Sequence, residues 1–287
     1  MRGIHERAAA QPTHPGALDW ATVDLPNTWP DTYRLRRLMR LARSPLSRPR
    51  RVELPPGLPG AGTLPRYLLR EFHNLPNGYY SHRVSTGYAR LFDVIMLGTL
   101  RRARRQMAQR LAHLHSVLDV GCGAGQLAGE LERSGVPHVW GLDPCPYLLR
   151  LAARKFPRVR FVQGLAEDTQ FPDARFDGLG VCFVLHELPP AAADRSLAEF
   201  HRVLRRDGLL AVTEPAPEHY GKSRAVTLLR QSGVAAVYFH LLARRVYEPY
   251  VRAWHRRDLS AWLAGAGFTV LADEARVPFR HVLACRV

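Results

Sequence analysis

Between Ser116 and Pro215 the sequence alternates short, nearly continuous apolar runs with amphipathic helical runs, and that alternation leaves few folds open. SVLDV leads to GQLAGELERSG, HVWGLD to PYLLRLAARKF, VRFVQG to a loop, FDGLGVCFVL to AAADRSLAEFHRVLRRDG, and LLAVTEP closes the series. Apolar runs without polar alternation are strands buried on both faces, and a helix after a strand is the crossover that joins parallel neighbours. The expected fold class is therefore α/β, with a doubly wound, mostly parallel sheet. A further helix, RRDLSAWLAGAGF, precedes TVLADEARVP and HVLACRV, two strand candidates close enough to pair.

The remaining chain divides around this unit. Residues 1–62 carry scattered prolines and end in ELPPGLPGAG, which cannot sustain regular structure and reads as a linker, so this stretch is expected to be an extension, disordered in part. Residues 63–115 have helical periodicity broken at Asn74–Gly78 by the turn-forming N-L-P-N-G, and read as an N-terminal helical lid. The main domain is expected over 116–287, with a largely helical insertion at about 216–250, where a strand end offers room for a substrate pocket.

Charge enters here as a question about partners. The net charge is +16, and 39 of the 41 basic residues are arginine. Between Thr32 and Val52 there are eight arginines and no acid, with Leu35, Leu38, Met39 and Ala42 at helical spacing. That is the pattern of a basic amphipathic helix on an anionic membrane surface, and 32–52 is the candidate for a peripheral membrane contact. A helix docked on its own domain accounts for the same spacing. The four cysteines, Cys122, Cys145, Cys182 and Cys285, form no C-x-x-C pair, and no histidines stand at metal-ligand spacing, so neither disulfides nor a metal site is expected. No apolar run approaches the roughly 18 residues of a membrane helix and no secretory h-region opens the chain, which points to the cytoplasm.

The loop after the first strand reads V-L-D-V-G-C-G-A-G-Q. Gly121, Gly123 and Gly125 permit a tight turn and close approach of a ligand to the backbone at a switch point of the sheet. A dinucleotide fingerprint needs glycine at Gln126, and a P-loop needs a G-K-[ST] that is missing. Asp119 stands at the end of the first strand, where a carboxylate can orient a cationic ligand. Asp143 ends the second strand, where an acid accepts hydrogen bonds from ribose hydroxyls.

At these residues the chain resembles the class I S-adenosylmethionine-dependent methyltransferases, a Rossmann-like family, in their ubiquinone-biosynthesis-like (type 11) branch. Asp119-x-Gly121-x-Gly123-x-Gly125 matches the first motif and G-L-Asp143 the second. GLAEDTQFPDARFD (Gly164 to Asp177) and FHRVLRRDGLLAVTEP resemble two further motifs, so the likeness covers roughly residues 115 to 216. The resemblance implies S-adenosylmethionine as cofactor. By it Gly121 and Gly123, with Cys122 between them, admit the methionine moiety, and Asp119 positions its amino group. Asp143, followed by Pro144, takes the ribose hydroxyls, Ala166 and Glu167 lie beside the adenine, and Cys182 stands near the cofactor. Leu165 replaces the acid usual before the alanine, which removes one carboxylate contact to the adenine amino group.

The acceptor side follows from the same placement. VCFVLHELPP occupies the loop after the fourth strand, which borders the methyl group in this fold, and lacks the N-P-P-Y type motif of amino-methylating relatives. Oxygen or carbon acceptors are therefore expected, on a small lipophilic or aromatic molecule. His186 is the candidate for proton transfer, since its unperturbed pKa lies near neutrality. Glu187 is the alternative base, or orients the histidine, and is counted with the substrate pocket, although neighbours on an extended strand point to opposite faces so that only one of the two should face the cofactor. Glu214, ending the fifth strand, is a further pocket-lining candidate. FHNLPNGYYS resembles the F-H-x4-G-Y-x-S extension of a set of bacterial and plastid-type methyltransferases, which implies that His73, Tyr79 and Tyr80 fold over the pocket. Two other classes stay open: an RNA-binding or RNA-modifying methyltransferase suggested by the charge, although no RNA-binding module or aromatic–basic interleaving is present, and a protein that holds S-adenosylmethionine without turnover.

Overall fold

Seven strands form a single sheet: β1 (Ser116–Val120), β2 (His138–Asp143), β3 (Arg160–Gln163), β4 (Phe176–Cys182), β5 (Leu204–Pro215), β6 (Phe268–Arg276) and β7 (Phe279–Arg286). Their order is β3-β2-β1-β4-β5-β7-β6. The first five pair in parallel, and β7 runs antiparallel to both β5 and β6. This computed structural model describes residues 14–26, 51–73, 75–217, 235–243, 246–276 and 278–287. The expected doubly wound, mostly parallel sheet is thus present, and the two C-terminal strands form a hairpin added to its edge.

Burial on both faces explains the unbroken apolar runs. Val117, Leu118 and Val120 of β1 and Leu179 and Val181 of β4 are fully buried. At roughly 1.5–3 kcal/mol for each large apolar side chain removed from water, these central strands carry much of the folding free energy. The crossover helices are α3 (Gln126–Arg133), α4 (Pro146–Lys155) and α5 (Pro190–Val203), which come after α1 (His82–Ile95) and α2 (Thr99–Leu111). α4 and α5 both begin with proline, whose fixed φ suits the first helical position and whose missing N–H has no partner to lose there. Two short helices, α6 (Val251–His255) and α7 (Leu259–Gly265), lead into β6. The strand order reverses direction between β1 and β4, so the loops after these two strands splay apart and open a crevice at their carboxyl ends.

The N-terminal segments are docked on this frame. Residue Ala17 bridges Val162 at the β3 edge, Gln163 donates its backbone N–H to Gly16, and Trp20 is buried in the cluster that contains Leu131, Val139 and Phe156. The ELPPGLPGAG stretch has no regular structure beyond a 3-10 turn at Ala61–Thr63, as its prolines and glycines require. It is nevertheless held: Val52 and Leu58 are buried with Leu25, Tyr80, Tyr147 and Leu148. The Asn77 side chain accepts from the Glu53 N–H and donates to the Glu53 carbonyl. Helix in the 63–115 segment begins only at His82; Leu64–Phe72 is a series of turns, with Arg51 bridging Arg70. Of the basic stretch 32–52, only Arg51 and Val52 are among the described residues, so the membrane-helix expectation lies outside them. Of the expected insertion, residues 235–243 are helical, and 218–234 and 244–245 lie outside the described residues. No helix among the described residues is long and apolar enough to cross a membrane.

Candidate functional site

The crevice between β1 and β4 contains a cavity whose floor is the glycine loop. Gly121 and Gly123 have φ of +65° and +53°, values that side chains rarely adopt. A Cβ on Gly121 would also collide with Val184 from the loop after β4. A Cβ on Gly123 would meet nothing and would project into open space. Two buried acids flank the loop. Asp143 accepts from the N–H groups of Gly123 and Cys145, both at 2.8 Å, which ties the end of β2 to the glycine turn. Asp119 accepts from the Ala128 N–H at 2.9 Å. Burial pushes the Asp119 carboxyl up to about 8 and Asp143 up to about 6, against the opposing pull of those backbone donors. Both acids line the cavity, as do Pro144, Leu165, Ala166 and Cys182. A buried cation joins them: Arg104 of α2, 7% exposed, pairs with Asp93 while its buried Nε has no hydrogen-bond partner.

The opposite wall is aromatic. Tyr79 and Tyr80 come from a 3-10 turn (Gly78–Tyr80), and Tyr88 and Phe92 lie one turn apart on α1 with ring centroids 4.7 Å apart. Phe183 completes this wall with φ at +62°, a left-handed value at which the chain leaves β4. One acid faces into this space, Glu187, whose Oε1 accepts from the Tyr79 hydroxyl at 3.1 Å. Burial raises the Glu187 carboxyl above its ordinary value despite His73 and His186 nearby.

Of the neighbours His186 and Glu187, it is the glutamate that lines the cavity. Leu185–Glu187 is a 3-10 turn, not extended strand, so adjacent side chains stand about 120° apart instead of opposite. Glu187 faces the cavity, and His186 is 0% exposed and outside its wall. Glu214 is the reason. It does not line the pocket; one oxygen accepts from the Val184 and Leu185 N–H groups and the other takes Nδ1 of His186, which ties the turn to β5. Burial alone would lower the His186 pKa, but Glu214 and Glu248 outweigh it and hold the imidazole well above 6.5.

Two other expected residues sit off the cavity. Glu167 is turned away onto Tyr67, whose hydroxyl donates to the carboxylate at 2.7 Å, although Ala166 beside it reaches the wall. His73 stands behind Tyr79, its Nδ1 2.7 Å from the hydroxyl, and stacks against Tyr88. Asp119, Gly121, Cys122, Gly123, Asp143, Pro144, Cys182, Tyr79 and Tyr80 are brought together around one cavity. All four cysteines are free. Sequence reading missed Tyr88, Phe92 and Arg104; the i, i+4 aromatic pair was visible, but nothing local tells a lid aromatic from a core one. It also missed Glu248, which lies beside His73 and His186 from 175 and 62 positions away in the chain.

Residues 117–208 match the family model described as a methyltransferase domain. An uncharacterized methyltransferase of Synechocystis sp. is 40% identical over 98 residues, 34% of this chain and 46% of the relative. A demethylmenaquinone methyltransferase of Chlorobaculum tepidum is 29% identical over 137 residues, 48% of this chain and 54% of the relative. The chain thus matches about half the length of these curated relatives. Among solved structures, magnesium protoporphyrin IX methyltransferase from Synechocystis with bound SAH has 20% identity and a TM-score of 0.47, over 65% of this chain and 83% of that one. The domain match spans the glycine loop, both strand-end acids and the turn that bears Glu187, and this part of the chain is similar to methyltransferase domains.

Proposed function

We propose that the protein methylates an oxygen or carbon of a small lipophilic or aromatic acceptor, of quinol-like chemistry. The observation that carries this reading is the cavity's division into two halves. One half is polar and offers the donors and acceptors a charged nucleoside–amino acid needs; the other is aromatic with a single acid, Glu187. When bound, S-adenosylmethionine supplies an electrophilic methyl group. On the polar side Asp143 is suited to the ribose hydroxyls, Asp119 to the amino group, and the Arg104 guanidinium to the carboxylate, a charge-assisted contact. Gly121 and Gly123 give the methionine portion room against the backbone. On the acceptor side Tyr79, Tyr88 and Phe183 are suited to flank a flat ring and exclude water, and Glu187 is suited to take a proton from a phenol or enol. Its raised pKa brings its basicity closer to that task. Positioning in line with the methyl donor supplies much of the rest of the acceleration. The name demethylmenaquinone methyltransferase, carried by the Chlorobaculum relative, favours a quinol-type acceptor on the same ground.

The test is incubation of the protein with methyl-labelled S-adenosylmethionine and fractionated lipid extract, including reduced quinones. Label should appear in an organic-phase product that gains one methyl group, and Glu187→Gln should slow its formation at unchanged cofactor affinity. Label found only in RNA or in the aqueous phase would overturn the acceptor assignment.

A further inference from the structure

Behind Glu187 and Tyr79, side chains from three separated stretches of chain point at one another. His73 comes from the segment before α1, His186 from the turn after β4, and Glu248 from the stretch before α6. Nε2 of each histidine and a carboxylate oxygen of Glu248 lie within 4.8 Å of one another. Glu248 Oε1 is 3.4 Å from His73 Nε2 and 3.7 Å from His186 Nε2. Glu187 Oε1 is 3.3 Å from His73 Nε2. All are withdrawn from solvent, with side-chain exposures of 10% for His73, 0% for His186, 9% for Glu248 and 18% for Glu187.

The outer nitrogens of both histidines already have partners. Glu214 accepts three backbone N–H groups and takes His186 Nδ1 as a further donor. The Tyr79 hydroxyl donates to Glu187 Oε1 at 3.1 Å, lies 2.7 Å from His73 Nδ1 and also meets the Tyr88 side chain. Both imidazoles therefore turn their Nε2 atoms inward. Three carboxylates, of Glu187, Glu214 and Glu248, stand beside them, and buried charges of this kind are either paired or coordinate a metal. His186 Nε2 is buried, has no hydrogen-bond partner and stands 3.7 Å from Glu248 Oε1, which leaves its inner nitrogen available to an ion.

We propose that His73, His186 and Glu248 form a binding site for a divalent transition ion of the zinc class, with Glu187 as the nearest further donor. Ligands roughly 2.0–2.1 Å from a tetrahedral ion are spaced roughly 3.3–3.4 Å apart. The 3.4 and 3.7 Å edges to Glu248 come close to that spacing, as does the 3.3 Å from Glu187 to His73, and the ligand atoms of the three residues all lie within 4.8 Å of one another. Two imidazoles with a carboxylate select zinc, iron(II) or manganese over calcium and magnesium, which prefer oxygen alone. Glu214 on one outer nitrogen and Tyr79 on the other are the partners that orient metal-bound histidines and fix their tautomer. The ion would pin the segment before α1, the β4 rim and the segment before α6 together, and so fix the wall that Tyr79 and Glu187 present to the cavity. Sequence spacing gave no hint of this, because the ligands are more than 60 residues apart, and the expectation of no metal site is revised on that account. The inference stands apart from the methyl-transfer reading.

The experiment uses full-length, tag-free protein, stripped with chelator and titrated with Zn2+ against a competing chromophoric chelator. One ion per chain should bind tightly, with a rise in Tm, and X-ray absorption at the zinc edge should give two imidazole nitrogens and oxygen in the first shell. His73→Ala and Glu248→Gln should each weaken binding by at least the roughly 10- to 100-fold that loss of an outer partner alone costs. S-adenosylhomocysteine affinity should be unchanged in Glu248→Gln and reports that the variant folds. No specific zinc binding by the wild type, equal affinity in both variants, or a sulfur-containing first shell would overturn the site and leave two imidazolium ions holding the cluster.

Discussion

Asp119 is the residue whose chemistry the sequence implied least. Its position beside the glycine loop marked it as a ligand for a cation, but not its protonation. With the carboxyl raised to about 8, the free protein holds it largely neutral at pH 7. The folded state thus keeps a proton that the unfolded chain, with an ordinary aspartate near 4, releases, so this group makes stability fall as pH rises from about 4 to about 8. A ligand ammonium beside it favours the ionised form. Cofactor binding at pH 7 should therefore expel a proton, seen in calorimetry as an enthalpy that depends on the buffer's ionisation heat. Asp119→Asn should bind more weakly and lose that dependence; an unchanged dependence would move the proton elsewhere. Asp143 has a second duty, since both its oxygens cap backbone N–H groups. Asp143→Ala should abolish measurable cofactor binding in a titration, and retained affinity would refute its assignment.

At the scale of elements, the turn Leu185–Glu187 shows where local reading stops. The apolar run before it was legible as a buried strand, because a sheet covered on both faces needs no alternation. The turn itself was not legible, because Glu214 imposes it from about 30 residues downstream by accepting its N–H groups. Strand periodicity then does not tell which of His186 and Glu187 faces the cavity. Two substitutions separate these roles. Glu187→Gln should lower kcat by roughly 10²- to 10⁴-fold, the usual share of a general base, with little change in Tm. Glu214→Ala strips a buried imidazole of its carboxylate, an effect that costs about 3–5 kcal/mol, and should appear in denaturant unfolding. Comparable stability in wild type and Glu214→Ala would mean that the turn does not depend on that acid.

At the scale of the molecule, the parallel sheet and the cofactor crevice could be read from the order of apolar runs and glycines, since each strand announces its own burial. The N-terminal third could not. The described parts of residues 1–62 hold no α-helix and no named strand, but absence of regular structure is not absence of packing. Leu58 and Val52 are 4% and 5% exposed and Trp20 and Leu25 2% each; Leu25, Val52 and Leu58 close the cluster beneath Tyr80 and α4, and Trp20 closes that of Leu131, Val139 and Phe156. Covering these four side chains is worth roughly 1.5–3 kcal/mol apiece before compactness of the unfolded chain is discounted. Even half that sum is a large share of the ~5–15 kcal/mol by which a typical protein is stable. Deleting residues 1–62 should therefore not release a trimmed but sound catalytic domain. It should lower Tm by more than about 10 °C, at a few degrees per kcal/mol for a chain of this size, and weaken cofactor binding through Tyr80 and the lid. Trp20→Ala alone should reproduce part of the loss, about 3–5 kcal/mol for an aromatic cavity. A truncated protein that melts with the full chain and binds S-adenosylhomocysteine equally well would make the segment an appendage after all.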